Sequence, residues 1–288
     1  MNVIGGMIGV IACVIIGLAG PGGFGTVLTL FQPYELLVIG GSGICTLIIS
    51  TPMNVIVALP SRIIVAIKGS GVTKDKYRQL LGLMASIFDT MRKEGALGIE
   101  GDLNNPHESA RFNRYPLVSH DHHVMDTLCG ALRLFVDGVV NGLDIDRFLE
   151  SEYDAHHEEE LLFPGVVSKL ADSFPALGIV ACVLGIIITM SHLDGSPEEI
   201  GHHVAAALVG TMLGILLSYG FVGPVATKME HVVREQSAQY KAIQAGMVAF
   251  AGGYPPAIAL EFARKTIPNM VRPGAEEMED IIKEAKKA

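Results

Sequence analysis

The chain has 288 residues, 50% of them hydrophobic, with a mean hydropathy of +0.43 and a formal net charge of −9. The apolar residues stand in blocks rather than spread, which excludes an ordinary soluble domain and points to a membrane protein. The acidic balance argues against nucleic acid as a partner, and no catalytic motif stands out, which disfavours a soluble enzyme.

A membrane helix needs about 20 mostly apolar residues. Four windows qualify: 1–19, 36–59, 173–191 and 204–227. The first has no Lys or Arg ahead of it and glycines running through it, so it reads as a crossing rather than a cleaved signal peptide. The second carries a glycine cluster at Gly40, Gly41 and Gly43. A stretch of mixed composition follows. Tyr77, Leu80, Leu81, Met84, Ile87, Phe88 and Met91 stand near helical spacing and predict a helix over 74–91, interrupted at Gly95 and Gly98. Further helices are expected over 122–140 and, rich in acid, over 144–163. The fourth window should run on as a helix to Phe250 and break at the sequence GGYPP (252–256). It should then restart twice, the last time over 276–287.

Of the 21 Lys and Arg residues, twelve fall between positions 61 and 170 and nine after 227. The connections 20–35 and 192–203 hold none, and the second carries Asp194, Glu198 and Glu199 instead. Cations collect on the cytoplasmic side of membrane proteins. The expected fold is therefore all-α: a polytopic membrane protein with four crossings, both termini cytoplasmic and a mostly helical cytoplasmic domain. Its parts are a first membrane hairpin (1–60), a cytoplasmic domain (61–170), a second hairpin (171–227) and cytoplasmic C-terminal helices and tail (228–288).

None of the four windows contains Asp, Glu, Lys or Arg, although ionisable residues inside the bilayer are the usual markers of ion pathways. Either the chain moves no ions or another chain supplies the charged group. The remaining polar residues are small: Thr189 and Ser191, then Thr211, Ser218 and Tyr219. The fourth window also reads Gly210-Thr-Met-Leu-Gly214, a small-xxx-small pattern. It serves either packing within the bundle or a wall against a partner helix. Pro175 fits a first helical turn, where its missing N–H is harmless. Pro224 interrupts a helix that continues beyond it. The expected topology puts both prolines at one membrane face and at similar depth, as a hinge would need.

The four cysteines, Cys13, Cys45, Cys129 and Cys182, form no C-x-x-C pair, so buried free thiols are expected. The pairs His122–His123, His156–His157 and His202–His203 suit one metal poorly, because neighbours on a helix diverge by about 100°. No metal or cofactor is expected. His202 and His203 fall in the outer connection.

Four segments carry a family resemblance: DSFPALGIVACVLG (172–185), LVGTMLGILLSYGFVGPVAT (208–227), GGYPPAIALEFARKT (252–266) and MRKEGALGIEGDLNNP (91–106). Over nearly its whole length the chain resembles the MotA family of flagellar stator proteins. The resemblance implies a homopentamer ring around MotB, whose membrane helix supplies the ion-binding aspartate. It also implies that the cytoplasmic domain pushes on the rotor protein FliG. The family does this with an arginine and a glutamate, whose positions are held here by Arg92 and Glu100. Family prolines thought to couple ion passage to movement fall on Pro175 and Pro224. Thr211 matches a threonine facing the ion route. Cys182 stands where sodium-driven relatives have a second threonine. A thiol is a poor ligand for a hard cation, so protons are favoured over sodium. Two other readings stay open: an ExbB/TolQ-like energiser, which shares the P-x-x-G pattern but has three crossings and no GGYPP tail, and a passive membrane scaffold.

Overall fold

The computed structural model describes residues 2–22, 30–138, 141–191 and 196–286. The expected helix end at Val140, the loop acid Asp194 and the expected helix end at Lys287 lie outside the described residues. Among those described, every regular element is helical. In chain order they are α1 (Asn2–Gly22), α2 (Pro33–Leu36), a π-helical turn (Leu37–Gly41), α3 (Ser42–Ser50), α4 (Met53–Lys68) and α5 (Lys74–Glu94). There follow a 3-10 turn (Ala96–Ile99), α6 (Glu100–Asn104), α7 (Ala110–Asn113), α8 (Pro116–Ser119), α9 (His122–Val136) and α10 (Gly142–Met190). The chain continues with α11 (Pro197–Ile215), a second π-helical turn (Leu216–Val222), α12 (Gly223–Ala251), α13 (Pro256–Thr266) and α14 (Ala275–Lys286). Four stretches are long and apolar enough to cross a membrane: Asn2–Gly20, Pro33–Ser50, Gly142–Met190 and Pro197–Ala251. The expected all-α, four-crossing architecture is present.

Three expectations about the spans are corrected. The window 36–59 is not one helix. Thr51 takes an extended conformation (φ −130°, ψ 134°) because Pro52 follows it, and a residue before proline is driven out of the α region. The expected helices over 144–163 and 173–191 are one element of 49 residues, α10, so Pro175 is an interior residue and not part of a first turn. Pro164 and Pro175 each remove one helical donor, and burial of Phe163, Val167, Ala171 and Phe174 offsets that loss. Finally, α11 starts at Pro197 rather than 204, so His202 and His203 lie on a helix. Its start is set by a capping box: the Ser196 N–H donates to Glu199 Oε2 at 3.0 Å and the Glu199 N–H donates to Ser196 Oγ at 3.3 Å.

The chain divides into two compact units. The first comprises Met1–Gly69 and Glu160–Val232. Its core joins Val55, Leu59 and Ala66 of α4 to Phe163 and Val167 of α10 and to Val225, Ala226 and Met229 of α12. Arg62 closes this region with an ion pair to the buried Glu160 at 2.6 Å and lies over the Phe163 ring at 5.2 Å.

The second unit comprises Ser70–Glu159 and Val233–Ala288, and is built around α5. Thr73 caps α5 by accepting the Lys76 N–H at 3.2 Å. The expected stripe is its core: Tyr77, Leu80, Leu81, Met84, Ile87 and Phe88 are each at most 1% exposed. Burying side chains of this size contributes about 1.5–3 kcal/mol apiece. Phe88 stacks on Phe250 at 4.4 Å between ring centroids, and α13 and α14 pack on α5.

Arg264 ties the α13–α14 connection. It donates to both carboxylate oxygens of Glu261 at 2.6 Å and to the Pro273 carbonyl at 3.0 Å. The hydrogen bonds from Arg264 hold the Glu261 carboxyl below its ordinary range. A group depressed in the fold stabilises it above its unfolded-state pKa and loses that contribution as pH falls through the folded value. The protection of α14 amides relative to their intrinsic exchange is therefore expected to fall on acidification below the ordinary glutamate range. Glu261→Gln should reduce that acid response, the remainder belonging to Glu277, whose carboxyl the hydrogen bonds from Lys74 and the Gly274 N–H also hold below its ordinary range.

Candidate functional site

The sequence-selected residues fall in two places, one in each unit. In the first, α10 and α11 meet backbone to backbone. A Cβ added at Gly214 would lie 2.6 Å from the Phe174 carbonyl oxygen and 2.9 Å from the Gly178 Cα. One added at Gly178 would lie 3.0 Å from the Gly210 carbonyl oxygen, and one at Gly185 would meet the Ala207 Cβ at 2.8 Å. The small-xxx-small pattern of α11 thus serves close packing on α10 of the same chain.

This register separates the two prolines. Pro175 stands next to Phe174, which faces Gly214, while Pro224 comes ten residues after Gly214, about 15 Å along a helix. Val225 and Ala226 share a core cluster with Phe163 and Val167. Pro224 is therefore level with Pro164, not with Pro175 as expected. The backbone accommodates Pro224 by widening: Leu216–Val222 is π-helical, and the Gly223 N–H donates to the Ser218 carbonyl. Such turns are frequent at functional sites. Nothing in the residue pattern marks this one in advance. Ser218 is 1% exposed and its hydroxyl has no partner among the described residues.

The polar side chains of the spans differ in availability. Thr189 donates back to the Gly185 carbonyl at 2.8 Å and Ser191 to the Ile188 carbonyl at 2.7 Å, so both are occupied within their own helix. Thr211 is half-buried and makes no hydrogen bond among the described residues. Cys182, also half-buried, is a free thiol, and its backbone nitrogen approaches Gly210. The residue missed by the sequence reading is Glu35. The second span begins at Pro33, not at 36, and so includes a carboxylate. The available signal was Pro33, because proline is favoured at the first position of a helix; Glu35 then falls in the first turn.

In the second unit, Arg92 ends α5 and Glu100 opens α6, both exposed. Gly95 makes the turn at φ +81°, a conformation side chains disfavour. At Gly98 a Cβ would lie 2.9 Å from the Glu94 Cβ, so the 3-10 turn sits directly on α5. Ile99 and Leu103 face inward, 1% and 2% exposed, which turns Glu100 outward and leaves Leu97 70% exposed between the two charges.

Arg111, absent from the sequence reading, clamps this surface. It donates to Asp102 Oδ2 at 2.9 Å, to the Ser86 carbonyl at 2.9 Å, to Ser86 Oγ at 3.2 Å and to Thr90 Oγ1 at 2.6 Å. Ser109 adds a hydrogen bond to Asp102 at 2.6 Å. The neighbouring charges are thus committed, Asp102 to Arg111 and Lys93 to Asp89 at 2.5 Å. Among the described residues Arg92 and Glu100 make no ion pair or side-chain hydrogen bond.

Fold and sites define a polytopic α-helical membrane protein with a helical unit that exposes an uncommitted cation at the end of one helix and an uncommitted anion at the start of the next. The profile of the MotA/TolQ/ExbB proton channel family matches residues 122–242, and that of the motility protein A N-terminal region matches residues 4–95. Motility protein A of Salmonella typhimurium is 34% identical over 254 residues, which cover 88% of this chain and 86% of the relative. The chain belongs to the motility protein A family. Its fold is similar to that in a structure of C. jejuni MotAB (TM-score 0.76, 19% identity, 93% of this chain and 96% of that one). It is also similar to that in the flagellar MotAB stator complex from Bacillus subtilis (TM-score 0.70, 19% identity, 96% and 98%).

Proposed function

We propose that this chain is the MotA-type subunit of a flagellar stator. With a MotB-type partner it forms an ion channel that converts ion flow into torque on the rotor. The observation that carries this reading is the α10–α11 pair. Two spans without a charged residue over 173–191 and 204–227 lock together backbone to backbone, leaving Thr211 unbonded. Such a wall suits a partner helix that brings its own charge, because protonation of that group, or binding of a cation to it, changes the cost of burying the charge by several kcal/mol. Copies of the chain form a ring, a homopentamer, around the partner. Both termini and the second unit lie in the cytoplasm, as the distribution of Lys and Arg supports. The uncommitted Arg92 and Glu100, with Leu97 between them, face the rotor protein FliG. Cys182 in place of a second hydroxyl favours protons over sodium as the coupling ion. Pro175 and Pro224 take part in transmitting ion passage to the second unit.

The test is motility complementation in a stator-deleted strain carrying this chain and its cognate partner, with the ion varied. Restored swimming that is insensitive to sodium at fixed pH supports the proton reading, and speed that rises with sodium overturns it. Pro224→Leu is expected to insert and assemble but not to support swimming. Normal swimming by that variant would remove Pro224 from the mechanism.

A further inference from the structure

We infer that Glu35 is a proton-carrying site of this chain, on the ion route beside Thr211 and Cys182. The inference rests on the ion-passage reading above. Glu35 is the sole acidic residue before Asp75, and no Lys or Arg precedes Arg62. It lies in the first turn of the second span, half-buried, and its Oε2 is shielded from solvent without a hydrogen-bond donor among the described residues. A buried polar atom left unpaired is costly, more so when charged, so an orphaned carboxylate oxygen in an apolar span requires a role.

Its surroundings supply one. A Cβ placed on Gly210 would lie 3.5 Å from Glu35 Cγ, 3.3 Å from the Ala181 Cβ and 3.5 Å from the Cys182 nitrogen. Three elements, α2, α10 and α11, thus converge on one point, next to Thr211. The titratable groups there are few. Along α10 from 173 to 191 the sole such residue is Cys182; α11 carries Glu198, Glu199, His202 and His203 near its start, seven or more positions before Gly210, and none from 204 to 215; Tyr34 beside Glu35 is 79% exposed. No Lys or Arg stands on these stretches to pair with Glu35. The step is a simple exchange. The carboxylate takes up one proton at Oε2 and becomes the neutral acid; it returns to carboxylate when that proton passes to the next acceptor, the ion-binding group of the partner chain.

The experiment uses the full complex of chain and partner in lipid vesicles, with proton uptake followed by an internal pH dye under an imposed potential. Glu35→Gln keeps size and polarity but cannot titrate. It is expected to lower uptake about ten-fold or more, as loss of a proton-transfer group does, with the amount of assembled complex unchanged. Glu35→Asp should retain uptake with a displaced pH profile, which a merely structural role would not produce. Uptake by Glu35→Gln within two-fold of the unmodified complex, where about ten-fold or more is the expected loss, overturns the inference and leaves the channel reading intact. An unmodified complex that carries no ions overturns the channel reading itself. If Glu35→Gln fails to assemble, Glu35→Asp decides, and a rate and pH profile identical to the unmodified complex again count against the site.

Discussion

Replacing Gly214 by valine is expected to abolish motility and to lower the amount of folded protein in the membrane. The new Cβ would stand 2.6 Å from the Phe174 carbonyl oxygen and 3.2 Å from the Gly178 nitrogen. Both are backbone atoms of α10, so no side chain can turn aside. Overpacking in a close-packed interior costs about 1–3 kcal/mol when side chains can adjust; a backbone collision takes the upper end or more. Membrane association driven by packing of small residues has few other terms to compensate. Gly201→Ala, on the same helix with open space around it, is the control and should behave as wild type. Immunoblots of membrane fractions and swimming assays check both. Wild-type levels and swimming in Gly214→Val would mean that α10 and α11 do not approach as described.

Arg111→Leu is expected to remove motility while leaving membrane insertion and ion flux in place. The substitution deletes the four hydrogen bonds described above and leaves the Asp102 carboxylate, 22% exposed, with Ser109 as its one described partner. Loss of a charge-assisted network of this burial costs about 1–3 kcal/mol. That cost falls on the segment presenting Glu100, not on the core around Phe88. Amide exchange over 99–103 should accelerate about ten-fold, the equivalent of about 1.4 kcal/mol. Arg111→Lys should be intermediate, because an ammonium group cannot reproduce the guanidinium fork. Unchanged exchange in Arg111→Leu, together with full motility, would show that the clamp does not order the surface.

Much of the second unit was legible in the sequence. The stripe from Tyr77 to Met91, the stop at Gly95, and the break at GGYPP followed by two helices all stand where periodicity and turn chemistry put them. Those signals are local, and local signals survive folding. The membrane unit was less legible at its edges. Hydropathy ignores a single Pro, so the window 36–59 ran through the Thr51–Pro52 break. A charge count that begins at position 36 also excludes Glu35. The π turn at Leu216–Val222 is invisible to periodicity, because one shifted hydrogen bond hardly alters an apolar run. Proline depth was misread for a different reason. It depends on the register between two helices, which Gly178 and Gly214 set through contacts 36 positions apart in the chain. Arg111 was missed on the same ground, since its partners lie as far back as Ser86.

The glycine seam also has a mechanical meaning. A contact made of main chain has no rotamers to rearrange, so it has almost no compliance under load. The two helices behave there as a single strut from Phe174 to Gly185 and from Ala207 to Gly214. Compliance is left to what lies past one end of the strut. On α10 that is Pro164, and on the returning helix it is the widened turn and then Pro224. Both soft places fall on the same side of the stiff section. A push applied there bends the two helices together instead of shearing them apart.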